Sequence, residues 1–365
     1  MRTTQKCRSG QSRSGKVNLD SGRSFRIPSL WFSVWTEDEY RKRYKEFLRY
    51  DFRENLLFNV CHILARPYLR KRLSGEDIHK TLGFKGPIMA DSGGFLFRYA
   101  SKMDVHPLKV LEVQEELKAD VGLVLDHPPN PRLVANEAFR FKTTLRNTKI
   151  MLRSRKSNNL LLLPVVSALS IEELKRMITC LRKIVSLEAV CIGGLVPLIR
   201  TQIPNGRKIM VNLLIELRRL LPESFIHVLG VGGTTTMHLM FFLGADSTDS
   251  CAWEKKAAYG LIQLPKVGDR FIVKRPGRER YPALSVNEYR MLLDCDCPAC
   301  GNNSPEDLDK SRILRVIHNA WVFQQEVYEA RRAVEEGDYE RFVEERTRHS
   351  MMYSTFEYAR SKLDR

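Results

Sequence analysis

Three aspartates follow short apolar runs in the chain: Asp91 after the run 88–90, Asp126 after 121–125, and Asp249 shortly after 241–245. A single aspartate at such a place reads as a helix N-cap. Three in series, with Ser92-Gly93-Gly94 directly after Asp91, point to a shared mouth where carboxylates meet a ligand. Paired carboxylates suit double displacement at an anomeric carbon, one attacking the sugar carbon while the other moves protons. Glycines beside them let backbone N–H groups approach a ligand closely. A second constellation is Cys295-x-Cys297-x-x-Cys300 followed by His318. Three thiolates and one imidazole complete a tetrahedral zinc site with no open position, which makes the metal structural; a histidine ligand disfavours an iron–sulfur cluster. No Ser-His-Asp or Cys-His arrangement and no phosphate-binding Walker loop is present. His127 reads as a rim residue beside Asp126, and Trp253 as a packed or stacking aromatic. His79, His106, His227, His238 and His349 receive no role.

The elements that must position these groups follow from a rhythm of apolar runs at 56–60, 88–90, 121–125, 160–166, 189–192 and 225–231, with a weaker run at 241–245. Each gives way to a helix-like segment, the pattern of parallel strands in βα units. After the runs come Asn59, Asp91, Asp126-His127-Pro128, Ser167, Gly193-Gly194, Gly230-Val231-Gly232 and Asp246 with Asp249. A (β/α)8 barrel builds its active site from the carboxyl ends of nearly all its strands, whereas an open doubly wound sheet concentrates ligands at one switch point. The expectation is therefore an α/β fold: a TIM barrel with a zinc-binding subdomain and terminal helices. The divisions expected are a disordered basic tail over 1–24, the barrel with an N-terminal extension over 25–290, and the zinc subdomain with C-terminal helices over 291–365. Within the extension, 35–49 reads as a charged helix with Thr36 and Glu39 as a capping box, and 321–362 reads as a helical layer.

The 365 residues carry 60 Lys+Arg against 43 Asp+Glu, a formal charge of +17. The excess gathers in 1–50, in Arg140–Lys156 (Arg140, Lys142, Arg146, Lys149, Arg153, Arg155, Lys156) and in Lys266, Arg270, Lys274, Arg275, Arg278 and Arg280. Three such groups favour a polyanion, and nucleic acid is the commonest. The longest nearly apolar run is about twelve residues, short of the roughly twenty a bilayer needs, so no membrane partner is expected. The basic N-terminus lacks the apolar core of a secretory signal, and the clustered cysteines suit metal in a reducing, cytoplasmic setting.

The residues also resemble a known family. Asn59-Val60-Cys61-His62 with Arg66-Pro67, Gly86-Pro87-Ile88-Met89-Ala90-Asp91-Ser92-Gly93-Gly94-Phe95, Leu125-Asp126, Gly193-Gly194-Leu195, Leu229-Gly230-Val231-Gly232, Gly244-Ala245-Asp246 with Asp249, and the cysteine trio with His318-Asn319 look like the tRNA-guanine transglycosylases over about 55–345. That resemblance implies a base-exchange pentosyltransferase. Asp249 would be the nucleophile at C1′ and Asp91 the general acid/base. Asp126, with Gly193, Gly194 and Gly230, would bind the Watson–Crick edge of the base. Asn59 would lie near the ribose, and Ser92, Gly93, Gly94, Phe95 and Ser167 would line the substrate site. The nucleotide must be flipped out or unpaired to reach the carboxylates.

Departures from the family pattern are Leu96 in place of the usual Gln, Ser167-Ala168 in place of Gln-Gly, and Ser250-Cys251-Ala252-Trp253-Glu254-Lys255-Lys256 after Asp249. The last falls in the segment that engages the polymer, which puts Lys255 and Lys256 there. The segment 25–51 stands where the family has its N-terminal strand. These changes are similar to the DNA-guanine transglycosylases, which insert 7-cyano-7-deazaguanine (preQ0) in bacterial and phage genomes. DNA is accordingly the expected polymer, in a bacterial or phage-infected cell, with an ATPase or helicase partner and a homodimer as possible company. tRNA as polymer is the alternative, and an inactive nucleic-acid-binding paralogue is a third reading.

Overall fold

The runs of Leu, Val, Ile and Phe form a parallel sheet that closes on itself. The computed structural model describes residues 1–36, 48, 52, 54–98, 104–130, 137–200, 203–278 and 280–364. In chain order the strands are β1 (Arg2–Ser9), β2 (Ser12–Asn18), β3 (Ser24–Ile27), β4 (Ser29–Ser33), β5 (Asn55–Asn59), β6 (Ile88–Asp91), β7 (Val121–Leu123), β8 (Leu161–Leu163), β9 (Val165–Ser167), β10 (Ala189–Gly193), β11 (Phe225–Val228), β12 (Ser247–Ser250), β13 (Leu261–Leu264) and β14 (Gly268–Phe271). The large sheet runs β8-β7-β6-β5-β4-β12-β11-β10-β9, parallel throughout. Its two ends, β8 and β9, are halves of one extended stretch split by Pro164, which has no N–H to give the ladder. One half pairs with β7 and the other with β10, so the ring closes as an eight-stranded barrel. The Pro164 carbonyl still accepts from Cys191 N–H at 2.9 Å.

The barrel interior is filled rather than hollow, as this architecture requires. Trp31, Leu57, Met89, Val121, Leu123, Leu163, Val165, Cys191 and Phe225 form one buried cluster, and Val17, Phe25 and Ile27 from β2 and β3 join it. The antiparallel sheet β1-β2-β3 therefore packs onto the barrel core.

That placement corrects two expectations. Residues 1–24 are not a disordered tail. They form strands fastened to the barrel: buried Arg13 pairs with Asp246 and donates to the Ser224 carbonyl at 2.7 Å, and Ser12 Oγ donates to Phe241 O at 2.8 Å. The first barrel strand lies inside 25–51 as β4, between β12 and β5. The run 241–245 is not a strand either. Helix Thr236–Phe242 ends there, and the strand that follows is the polar tetrapeptide Ser247–Ser250. Its polar groups are met internally, for example by Thr248 Oγ1 donating to Val228 O at 2.8 Å. Of the expected capping box, Thr36 is buried and Glu39 lies outside the described residues, as does most of 35–49.

Beyond the barrel, the β13–β14 hairpin and helices Val286–Leu293 and Pro305–Lys310 share a small core of Ile262, Leu264, Ile272, Leu292 and Leu308. The 25-residue helix Arg312–Glu336 follows, then Tyr339–Thr347 and Tyr353–Leu363. The long helix is fastened to the barrel by Arg331, which meets Glu54 with two nitrogens at 2.7 and 2.8 Å and donates to Pro28 O at 2.8 Å. No described helix is long and apolar enough to cross a membrane.

Candidate active site

Parallel pairing places Asn59 directly opposite Asp91, and Ser167 opposite Gly193. Asn59 caps the helix that begins at Val60, its Oδ1 accepting from His62 N–H at 3.0 Å. Its Nδ2 donates to Asp91 Oδ2 at 2.7 Å, and Gly93 N–H donates to Asp91 Oδ1 at 3.2 Å. Gly93 turns the chain in the left-handed region (φ 86°), and a Cβ there would lie 2.5 Å from Cys61 Cβ. Burial pushes the Asp91 carboxyl up to about 6; the Asp249 charge adds to the rise, while the Gly93 and Asn59 hydrogen bonds oppose it. Beside it Cys61 donates to the Ser92 carbonyl, and burial pushes its thiol up to about 12, so it is no nucleophile at neutral pH.

Asp126 sits in the loop after β7, held from below by the helix Glu137–Ser154. Asn147 donates to Leu125 O at 3.0 Å, Thr144 Oγ1 accepts from His127 N–H at 2.9 Å, and Arg140 donates to Pro128 O at 2.6 Å. Arg140 is thus a buried strut and leaves the basic surface, which Lys142, Arg146, Lys149, Arg153, Arg155 and Lys156 still form. Ser167 Oγ donates to Asp126 Oδ2 at 3.2 Å. Gly94 approaches so closely that a Cβ on it would lie 2.0 Å from Asp126 Oδ1. Burial pushes this carboxyl up to about 7, the Asp91 charge reinforcing the effect and Ser167 opposing it.

Asp249, on β12, is reached from the next loop: Gly230 N–H donates to its Oδ1 at 2.6 Å, with Gly230 in the left-handed region (φ 74°). Asp91 is thus within electrostatic reach of both Asp249 and Asp126. The structure brings together Asp91, Asp126, Asp249, Asn59, Ser167, Gly93, Gly94, Gly193 and Gly230. Gly193 lies against Ser167 and Asp126, and Gly194 against Pro129. Ser92 is buried, while Phe95 is 42% exposed with the Arg98 guanidinium 3.8 Å above its ring. Lys255 is exposed, but Lys256 is turned to Asp269 and the Tyr281 hydroxyl and is not offered to a ligand. Trp253 is a packed aromatic, fully buried against Phe32.

Cys295, Cys297, Cys300 and His318 converge with their ligand atoms within 4.8 Å of one another. The sulfurs lie 3.8, 3.5 and 3.4 Å from His318 Nδ1. A tetrahedral zinc with ordinary Zn–S and Zn–N bonds places S and N about 3.6 Å apart, so the spacing fits the ion. His318 Nε2 sits 2.9 Å from the Gln263 carbonyl, and donating to it leaves the Nδ1 lone pair facing the thiolates. Asn319, next in sequence, accepts from Gln263 N–H and donates to Trp253 O and Leu261 O. The cluster is thereby tied to the helix Ala252–Ala258, which starts just after Asp249.

Fold and site together define a class: an eight-stranded parallel barrel with carboxylates at the carboxyl ends of its strands and an appended Cys3His cluster that could hold a structural zinc. The chain belongs to the queuine tRNA-ribosyltransferase family, whose profile matches residues 7–351. That match begins well before Asn55, consistent with β4 as a barrel strand. The chain is 28% identical over 360 residues to a tRNA-guanine(15) transglycosylase of Pyrococcus abyssi, covering 96% of this chain and 57% of the relative. It is 28% identical over 362 residues to the protein of that name from Thermococcus kodakarensis (96% and 58%). To that from Methanobrevibacter smithii it is 30% identical over 304 residues (80% and 43%). The chain spans about half the length of these relatives.

Proposed function

We propose that the protein is a guanine transglycosylase that exchanges guanine in tRNA for another base by double displacement. The observation that carries this is the meeting of Asp91, Asp126 and Asp249 at one barrel mouth. Asp249 attacks C1′ of a flipped-out guanine nucleotide. The new O–C1′ bond forms as C1′–N9 breaks, and the electron pair leaves with guanine. Asp91, whose raised pKa keeps a protonated fraction near neutrality, delivers a proton to the departing base. It then takes a proton from the incoming base, which attacks C1′ and releases the ester to Asp249. Asp126 accepts from the N1–H and N2–H groups of guanine, with Ser167 and the glycine backbones shaping the slot. Cys295, Cys297, Cys300 and His318 would hold a zinc ion, which would supply stability to the appended subdomain, since four protein ligands leave no open position.

For the polymer, the activity by which the relatives are named favours tRNA over the DNA expected from Leu96, Ser167 and the residues after Asp249. Positive surface does not separate the two, because both are bound largely through phosphate. A 7-deazaguanine is the incoming base that the family resemblance supports. The test is transfer of radiolabelled guanine by the full chain into bulk tRNA, duplex DNA and single-stranded DNA, with Asp249→Ala as control. Label in tRNA alone supports this reading. Label in DNA alone replaces tRNA with DNA and leaves the chemistry in place. Label that persists with Asp249→Ala refutes the nucleophile.

A further inference from the structure

His227 belongs to none of the roles above, yet it lies against the nucleophile. It is on β11, fully buried, paired in register with Ser247 of β12, which lies two residues before Asp249. Its Nδ1 is 2.7 Å from Ser247 Oγ, and its Nε2 is 3.4 Å from Asp249 Oδ1. Among the described residues, that buried Nε2 has no hydrogen-bond partner, and Trp31 stands edge-on to the ring with centroids 6.4 Å apart.

Two tautomers are open to the ring. With the proton on Nδ1, the Nε2 lone pair would face a carboxylate oxygen in a buried pocket, an unfavourable contact. With the proton on Nε2, the ring points a donor at Asp249, and the rotatable Ser247 hydroxyl satisfies Nδ1 by donating to it. At 3.4 Å the approach is longer than a full hydrogen bond. It orients Oδ1 electrostatically without sequestering the carboxylate. Gly230 N–H is on that same Oδ1 at 2.6 Å. Both neighbouring donors therefore gather on one oxygen.

We propose that His227, its tautomer set by Ser247, is a positioning residue that holds Oδ1 of Asp249 and so presents Oδ2 to the sugar carbon. The proposal rests on Asp249 being the nucleophile. A carboxylate free to rotate would spend much of its time with the wrong oxygen or angle toward C1′, and misplacement on the ångström scale costs about 100-fold.

The test compares His227→Leu, His227→Gln, Ser247→Ala and Asp249→Asn in the full chain, using radiolabelled guanine and whichever polymer takes up label with the unaltered protein. Melting temperature and the yield of denaturation-stable protein–polymer adduct are measured alongside. His227→Leu is expected to lower kcat about 10- to 100-fold with KM for polymer and guanine within about threefold, and to lower the initial rate of adduct formation with it. His227→Gln, which keeps an N–H donor, recovers part of kcat. Ser247→Ala loses about fivefold with an unchanged melting temperature. A folded His227→Leu with the original kcat overturns the proposal, and so does a folded His227→Gln no better than Leu. If the Leu variant does not fold, an unaltered kcat in Ser247→Ala overturns it. Full activity in Asp249→Asn is a different failure, that of the nucleophile assignment itself.

Discussion

Asp126 is a carboxylate stored in an unfavourable place, and its chemistry is bought with stability. Its ionised form is penalised by burial and by Asp91, which raises its carboxyl to about 7 from an ordinary 3.8. The sign follows from linkage: a raised folded-state pKa means that stability is fully present below about pH 4 and is lost as pH climbs through 7. Asp126→Asn should therefore raise stability at pH 8 by on the order of 2–4 kcal/mol, with much of the gain gone at pH 5, while base exchange is abolished. Thermal melts at the two pH values check this, and an equal gain at both would contradict it. Gly94 is the companion case. Its missing Cβ is what allows backbone against Asp126 Oδ1, so Gly94→Ala should cost about 1–3 kcal/mol of overpacking and at least about 100-fold in kcat/KM. Both residues stood out in the sequence as a strand-end aspartate and a Gly-Gly pair. Their contact did not, because it joins the loops after β6 and β7. His227 left no signal at all, since one histidine in an apolar strand looks like core.

At the scale of elements, the mouth is held by buried polar struts from helices outside the barrel. Gln114, wholly buried on helix Pro107–Glu116, donates to Ala90 O and Leu123 O at 3.0 and 2.9 Å, stitching β6 to β7 just below Asp91. Arg140 and Asn147 do the same for the Asp126 loop. In sequence Arg140 is one of seven basic residues in a row of helical turns, and only packing reveals that it faces inward. The helix Arg312–Glu336 is joined to the barrel by the buried Arg331–Glu54 pair, whose side chains are 8% and 2% exposed. Arg331→Ala leaves Glu54 buried without its cation and should cost about 3–5 kcal/mol, read as a lower denaturant midpoint. Arg331→Lys should recover only part of that, since one ammonium cannot make two parallel bonds and also reach Pro28 O.

For the whole molecule, hydrogen bonds connect the Cys3His cluster to the segment that follows the barrel mouth. His318 and Asn319 connect the Cys3His cluster to Gln263, Leu261 and Trp253, and the Trp253 helix begins just beyond Asp249. Purified protein is expected to hold about one zinc per chain by metal analysis. Chelation, or Cys297→Ser, should lower the melting temperature and reduce exchange together; loss of metal with neither change would separate the two. The exposed lysines and arginines of Glu137–Ser154 lie on the same helix that supports Asp126. Charge reversal at Lys142, Arg146 and Lys149 should raise KM for the polymer, with kcat little changed. It should also flatten the dependence of log affinity on log salt, by about one unit of slope for each phosphate no longer neutralised.

Local features along the chain were enough to set most of the βα alternation, the strand-end aspartates, the glycines after Asp91 and the three cysteines of the metal cluster, but not β4 or the strand Ser247–Ser250. Each depends on near neighbours only: a run of apolar residues, a turn that needs φ above zero, or thiols spaced within one loop. Everything made by closure waited on the tertiary structure. The polar strand Ser247–Ser250 exists because its neighbours β4 and β11 supply its ladder. Arg13 of the N-terminal sheet is buried because Asp246 meets it across the barrel floor. The donors that orient Asp249 come from β11 and the loop after it, and no pattern along the chain sets which oxygen of a carboxylate they reach. Closing a barrel brings residues far apart in sequence within a few ångströms, and the chemistry lives in those contacts.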